Sequence, residues 1–156
     1  MLRWAHARDM DLTLIETMPL GEVDVDRVDQ YLPLDEMRRQ LEGEFTLQAD
    51  DHRSGGPARY YRVAETGGRL GMITPLTHNF CESCNRVRLT AIGELYLCLG
   101  QNDKVNLRDA LRDGGVDALD QMLDRAMLIK PKGHDFVIDR TRTEPAVGRF
   151  MSTTGG

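Results

Sequence analysis

The sequence predicts an α/β chain in two parts, and three observations carry that prediction. A mostly apolar run, "LTLIETM" at 12–18, lies between stretches that read as helices. From residue 44 the pattern changes to short alternating segments divided by glycine-rich turns. Helical segments follow a cysteine-rich hairpin towards the end of the chain. Residues 1–43 are therefore expected to form helix–strand–helix, and residues 44–156 an α+β part with antiparallel hairpins, the boundary falling within 43–57.

"LRWAHA" opens the chain as a short segment of ambiguous type. The run at 12–18 ends at Pro19 and Gly21, and a mostly apolar strand between helices points to a buried parallel strand. "LPLDEMRRQLEG" places Leu34, Met37, Arg38 and Leu41 at helical spacing, with Gly43 as its stop. "DDHRSGGP" is a polar connector; "ARYYRVAE" and "RLGMIT", separated by "TGG", read as two antiparallel strands with a tight turn. Later, "NLRDALRDGG" begins on the capping residue Asn106 and stops at glycines. "VDALDQMLDRAMLIK" repeats apolar residues as an amphipathic helix, with Met122 and Met127 expected in the core. The last stretch, "RTRTEPAVGRFMSTTGG", is irregular.

With 156 residues, 40% of them hydrophobic, the chain suits a globular protein with a real core. A net charge of −5 argues against broad coating of nucleic acid, so any anionic ligand needs a local cluster of cations. No apolar run is long enough to cross a membrane and no secretory leader is evident, so a cytoplasmic address is expected. Three cysteines within eighteen residues suit metal or redox chemistry in a reducing compartment better than a disulfide framework.

Those cysteines, Cys81, Cys84 and Cys98, stand in "NFCESCNRVRLTAIGELYLCL". The gap of two residues lets both sulfurs of a loop face one metal centre. "NRVRLT" alternates, so Arg86, Arg88 and Thr90 share one strand face. A three-residue hairpin loop, Ala91-Ile92-Gly93, would pair Thr90 with Glu94, Arg88 with Tyr96 and Arg86 with Cys98. Shifting that register by one residue would turn Cys98 to the opposite face.

Three thiolates suit a cubane iron–sulfur cluster with one iron lacking a protein ligand, or zinc with one open position. In the rival arrangement His78 supplies a fourth ligand and closes a Cys3His zinc site. A thiol redox pair would leave the third cysteine without a part, and cysteines acting as small hydrophobes fit poorly among such polar neighbours. On a solvated face Arg86 and Arg88 would be ordinary, but beside an open coordination position their guanidinium forks suit phosphate oxygens or a base. The fourth ligand is then the substrate. Lys130 and Lys132 are read as solvated and stay outside the site.

"GPARYYRV…GMITPLTHNFCESCNRVRLTAIGELYLCL", "LRDALR", "KPKGHDF", "LIETMPLG" and a terminal "TGG" resemble the C-terminal part of the molybdenum cofactor biosynthesis protein A family, the GTP 3′,8-cyclases. The resemblance runs through essentially the whole chain. It implies a radical S-adenosylmethionine enzyme with two [4Fe–4S] clusters, of which residues 1–43 would be the last part of an incomplete TIM-type barrel. By resemblance Cys81, Cys84 and Cys98 hold the C-terminal [4Fe–4S] cluster. Arg86, Val87 and Arg88 then contact GTP, whose purine meets the open iron. Met18, a core residue on its own evidence, matches a position near S-adenosylmethionine at the end of a barrel strand. Gly155 and Gly156 match a tail that reaches into the active site.

Two departures qualify these implications. The family's CxxxCxxC motif, which binds the other cluster, is absent, so the chain is expected to need an N-terminal radical half as partner and to be inactive alone. Thr13 stands where many relatives carry arginine, which removes one expected GTP contact. With most of a barrel missing, the strand at 12–18 is expected to expose apolar surface and favour association, for instance as a homodimer.

Overall fold

The alternating segments pair as antiparallel ladders. A computed structural model of the chain describes residues 1–21, 31–78, 80–137 and 145–154. The chain divides into two compact units, one of Met1–Met18 with Asp29–Phe80 and one of Pro19–Val28 with Cys81–Gly156.

The first unit contains α1 (Leu2–His6), β1 (Leu12–Ile15), α2 (Leu34–Glu42), β2 (Leu47–Asp50), β3 (Arg59–Val63) and β4 (Arg69–Ile73). Its sheet has the order β1-β4-β3-β2. β3 and β4 form the expected hairpin, with Tyr61 opposite Leu70 and Arg62 opposite Arg69. Gly67, at φ +73°, lets the Gly67 N–H reach the Val63 carbonyl at 2.8 Å and close the turn. β2 extends the sheet antiparallel to β3, an element the sequence pattern left unread.

β1 runs parallel to β4, with Leu12 opposite Leu70 and Leu14 opposite Met72. Segments on both sides of the connector at 43–57 therefore share one sheet. The expectation of a buried strand at 12–18 needs correction, because β1 is an edge strand. Leu12 and Leu14 pack against the core while Ile15 is 58% exposed. Burial on both faces would require the cover that wholly parallel sheets have.

The core of this unit is Leu2, Leu34, Phe45, Val63, Leu70 and Met72, and the helical spacing of α2 brings Met37 and Leu41 onto it. α2 has no side-chain cap of its own at Pro33. Glu16, only 2% exposed, supplies an acceptor instead. Its carboxylate accepts the Leu34 N–H at 3.1 Å, the Leu76 N–H at 2.8 Å and the Thr77 N–H at 3.1 Å. The Thr77 hydroxyl donates to it as well. A negative group at a helix N-terminus satisfies orphan donors and opposes the helix dipole favourably.

The second unit begins with a 3-10 turn at Cys81–Ser83, followed by β5 (Arg88–Leu89), β6 (Glu94–Tyr96), β7 (Lys104–Asn106), α3 (Leu107–Ile129) and α4 (Met151–Thr154). The three strands form an antiparallel sheet in the order β5-β6-β7. α3 is two helical stretches meeting at Gly115, whose φ of 70° and ψ of −160° break the helix where the sequence places its glycine stop. The Asn106 side chain caps it by accepting the Asp109 N–H at 3.0 Å.

Leu95, Leu97, Val105 and Ala126 form the core here, with Leu107 and Met122 against it. Met122 is placed as expected, but Met127 is 51% exposed. Ala126 takes the buried position beside it, so the stripe of α3 that faces the sheet is narrower than its apolar residues allow. Among the described residues no helix is long and apolar enough to cross a membrane.

The β5–β6 turn is closed by bonds from Thr90 N–H to the Glu94 carbonyl at 2.9 Å and from Gly93 N–H to the Thr90 carbonyl at 3.0 Å. Gly93 sits at φ +83°, and its carbonyl accepts the N–H groups of Leu107 and Arg108, the first residues of α3. A β-carbon at 93 would lie 2.4 Å from the Arg108 β-carbon, whereas one at 67 would meet nothing within 4 Å.

Two stability outcomes follow. Glu16→Ala is expected to lower unfolding free energy by about 3 kcal/mol, since it strands the buried Leu34 N–H and the part-buried donors of Leu76 and Thr77; a urea transition at an unchanged midpoint would contradict this. Gly67→Ala should cost only the ~1–2 kcal/mol of left-handed strain. Gly93→Ala should cost clearly more, and equal losses in thermal unfolding would remove the steric account of Gly93.

Candidate functional site

A gap of two residues between thiols is spanned by one tight turn. The Cys84 N–H donates to the Cys81 carbonyl at 3.0 Å, closing the 3-10 turn that carries both cysteines. All three cysteines are half-buried, and none forms a disulfide.

The hairpin that follows has the register read from the sequence. Arg88 lies opposite Tyr96 and Leu89 opposite Leu95, with Thr90 joined to Glu94 by backbone and hydroxyl bonds. The glycine in the last loop position explains this agreement, because it sets the loop length and hence the register. Beyond Arg88 the ladder ends, and the expected pairing of Arg86 with Cys98 is not among its rungs. The Leu97 N–H instead donates to the Asp103 carbonyl at 3.0 Å, so the chain bearing Cys98 follows β7 as it leaves the hairpin.

Cys98 is held from another direction. The Arg149 guanidinium donates to the Cys98 carbonyl at 3.1 Å, to the Leu99 carbonyl at 2.7 Å and to Asn102 Oδ1 at 2.7 Å. It also lies 4.3 Å from the centroid of the Tyr96 ring. Burial pushes the Arg149 pKa below its ordinary value, opposed by its electrostatic interaction with Tyr96 and Cys98. Lys130, read from sequence as solvated, donates to the Leu97 carbonyl at 2.7 Å. No spacing signal marks Arg149, which sits in an irregular segment with partners some fifty positions away.

The other expected site residues are placed as follows. Arg86 and Val87 are exposed and Arg88 is half-buried. Met18 is half-buried in the first unit, just past the C-terminal end of β1. His78 is exposed and also belongs to the first unit, where its N–H donates to the Thr74 carbonyl at 3.2 Å. Gly155 and Gly156 lie outside the described residues.

Among the described residues, which include all three cysteines, no group of three or more His, Cys, Asp or Glu side chains is gathered as a metal site. The donor chemistry still fits an iron–sulfur group. It consists of three thiols that are neither sealed in a core nor fully exposed, two on one turn and the third two residues past the end of β6.

Comparison with known proteins agrees with the motif. The family described as Molybdenum Cofactor Synthesis C matches residues 10–136. The GTP 3′,8-cyclase of Rhizobium meliloti (strain 1021) is 69% identical over 157 aligned residues, covering 100% of this chain and 45% of that protein. The GTP 3′,8-cyclase of Sinorhizobium medicae (strain WSM419) is 67% identical with the same coverage. That of Brucella ovis is 62% identical and covered over 46% of its length. The chain thus spans a little under half the length of these curated relatives. A fit over residues 10–136 places the chain in the Molybdenum Cofactor Synthesis C family.

Proposed function

We propose that this chain is the C-terminal part of a GTP 3′,8-cyclase acting in molybdenum cofactor synthesis, and that it binds and orients the nucleotide. Cys81, Cys84 and Cys98 hold a [4Fe–4S] cluster, and Arg86, Val87 and Arg88 contact GTP. Such a cluster, held by three cysteines, supplies an iron with one position open to a substrate atom. The guanidinium groups of Arg86 and Arg88 take phosphate oxygens by charge-assisted hydrogen bonds. Val87, 36% exposed between them, presents an apolar surface to the nucleotide.

The observation that carries this reading is the hairpin register. Arg88 stands opposite Tyr96, two residues before Cys98, on a hairpin that starts from the Cys81–Cys84 turn. Residues 1–43 are proposed as the end of the barrel. β1 is parallel to β4, is an edge strand, and has Met18 beyond its C-terminal end, where barrel enzymes place their sites. Met18 is then a contact of S-adenosylmethionine. The radical chemistry belongs to the chain only in company with the N-terminal half and its own cluster. Cysteines kept as thiols suit the cytoplasm as the compartment.

Full-length protein purified anaerobically should be brown, and Cys98→Ala should lose the cluster's share of iron, about four atoms. A colourless protein with one zinc would favour a closed structural site and a role without substrate. Arg86→Ala and Arg88→Ala should each weaken GTP binding roughly ten- to hundredfold, the worth of one charged hydrogen bond. Unchanged affinity in both variants, measured by calorimetry, would refute the nucleotide assignment.

A further inference from the structure

Where a ladder ends, the next carbonyls need new donors or water. At Leu97, Cys98 and Leu99 three successive carbonyls are all met by cations: Lys130 takes the first, and Arg149 the second and third. These donors arrive from different elements, Lys130 from the end of α3 and Arg149 from the segment before α4. The backbone around the third cysteine is thus fixed by distant parts of the second unit, through the stronger, charge-assisted class of hydrogen bond.

Arg149 does more than satisfy carbonyls. Its guanidinium lies on the ring of Tyr96, the residue paired with Arg88 in the hairpin. One planar group therefore joins the loop of the third thiol, the rung that carries an arginine of the proposed nucleotide site, and the C-terminal segment. Lysine has neither the fork nor the plane to do all three.

We propose that Arg149 is a positioning residue for the cluster-binding centre, setting the orientation of Cys98 relative to Arg88 and holding a fixed positive charge at the Cys98 backbone. This rests on the reading that Cys81, Cys84 and Cys98 hold the cluster. A nearby cation favours the reduced, more negative state of an iron–sulfur centre, because net charge is among the factors that set its potential.

The test uses the full-length reconstituted holoprotein and the magnetic-resonance signal that Cys98→Ala abolishes. Arg149→Met should move the potential of that signal to more negative values and raise deuterium uptake over residues 97–102. Arg149→Lys, keeping charge but not the fork, should hold the potential near the parent value while uptake over 97–102 still rises. A fall in melting temperature with potential and spectrum unchanged in Arg149→Met would reduce the residue to a structural role and overturn the proposal. If Arg149→Met does not fold, Arg149→Lys decides, and parental uptake over 97–102 in that variant overturns it. Should Cys98→Ala retain all its iron, the cluster reading itself fails, whatever the Arg149 variants do.

Discussion

A left-handed glycine orders the second unit. With Gly93 at φ +83°, the loop between β5 and β6 closes after three residues, and the register from Leu89–Leu95 to Arg88–Tyr96 follows from that closure. The same residue starts the long helix, because its carbonyl receives the N–H groups of Leu107 and Arg108. The hairpin that carries the arginines and the helix that covers the core are therefore coupled at one backbone position. The first unit relies on a comparable device, in which Glu16 receives the N–H of Leu34 and ties α2 to the loop after β4. In both cases an acceptor distant in sequence satisfies donors at a helix start, the groups a helix cannot pair for itself.

Elements governed by local rules were legible in the sequence. The β3–β4 hairpin, α2, the cap at Asn106, the break in α3 and the rung joining Arg88 to Tyr96 all follow from turn chemistry and spacing. Elements governed by distant partners were not. β2 lacks a clear period of its own and exists because β3 offers an edge. Glu16 reads as one polar residue in an apolar run, yet its donors lie eighteen to sixty-one positions away. The pairing of Arg86 with Cys98 failed for a related reason, since a period-two pattern cannot say when β6 will follow β7 and leave β5.

Charge shows the same division. A chain of net charge −5 places Arg86 and Val87 at the surface with Arg88 half-buried beside them. Around Cys98 the backbone is bound by Lys130 and Arg149, and neither is distinguishable in sequence from a solvated side chain. Burial lowers the Arg149 pKa, and the interactions that keep it in place are carbonyls, an amide and an aromatic face.

The two ends of the cysteine motif are consequently held by unlike means. Cys81 and Cys84 ride on a single 3-10 turn, a short local element with poorer hydrogen-bond geometry than an α-helix. Cys98 has its carbonyl bound by Arg149, and its neighbours in the chain are bound by Arg149 and Lys130. The described residues do not gather the three thiols as one metal group, and the bonds that hold the chain at Cys98 come from Arg149 and Lys130, not from the turn that carries Cys81 and Cys84.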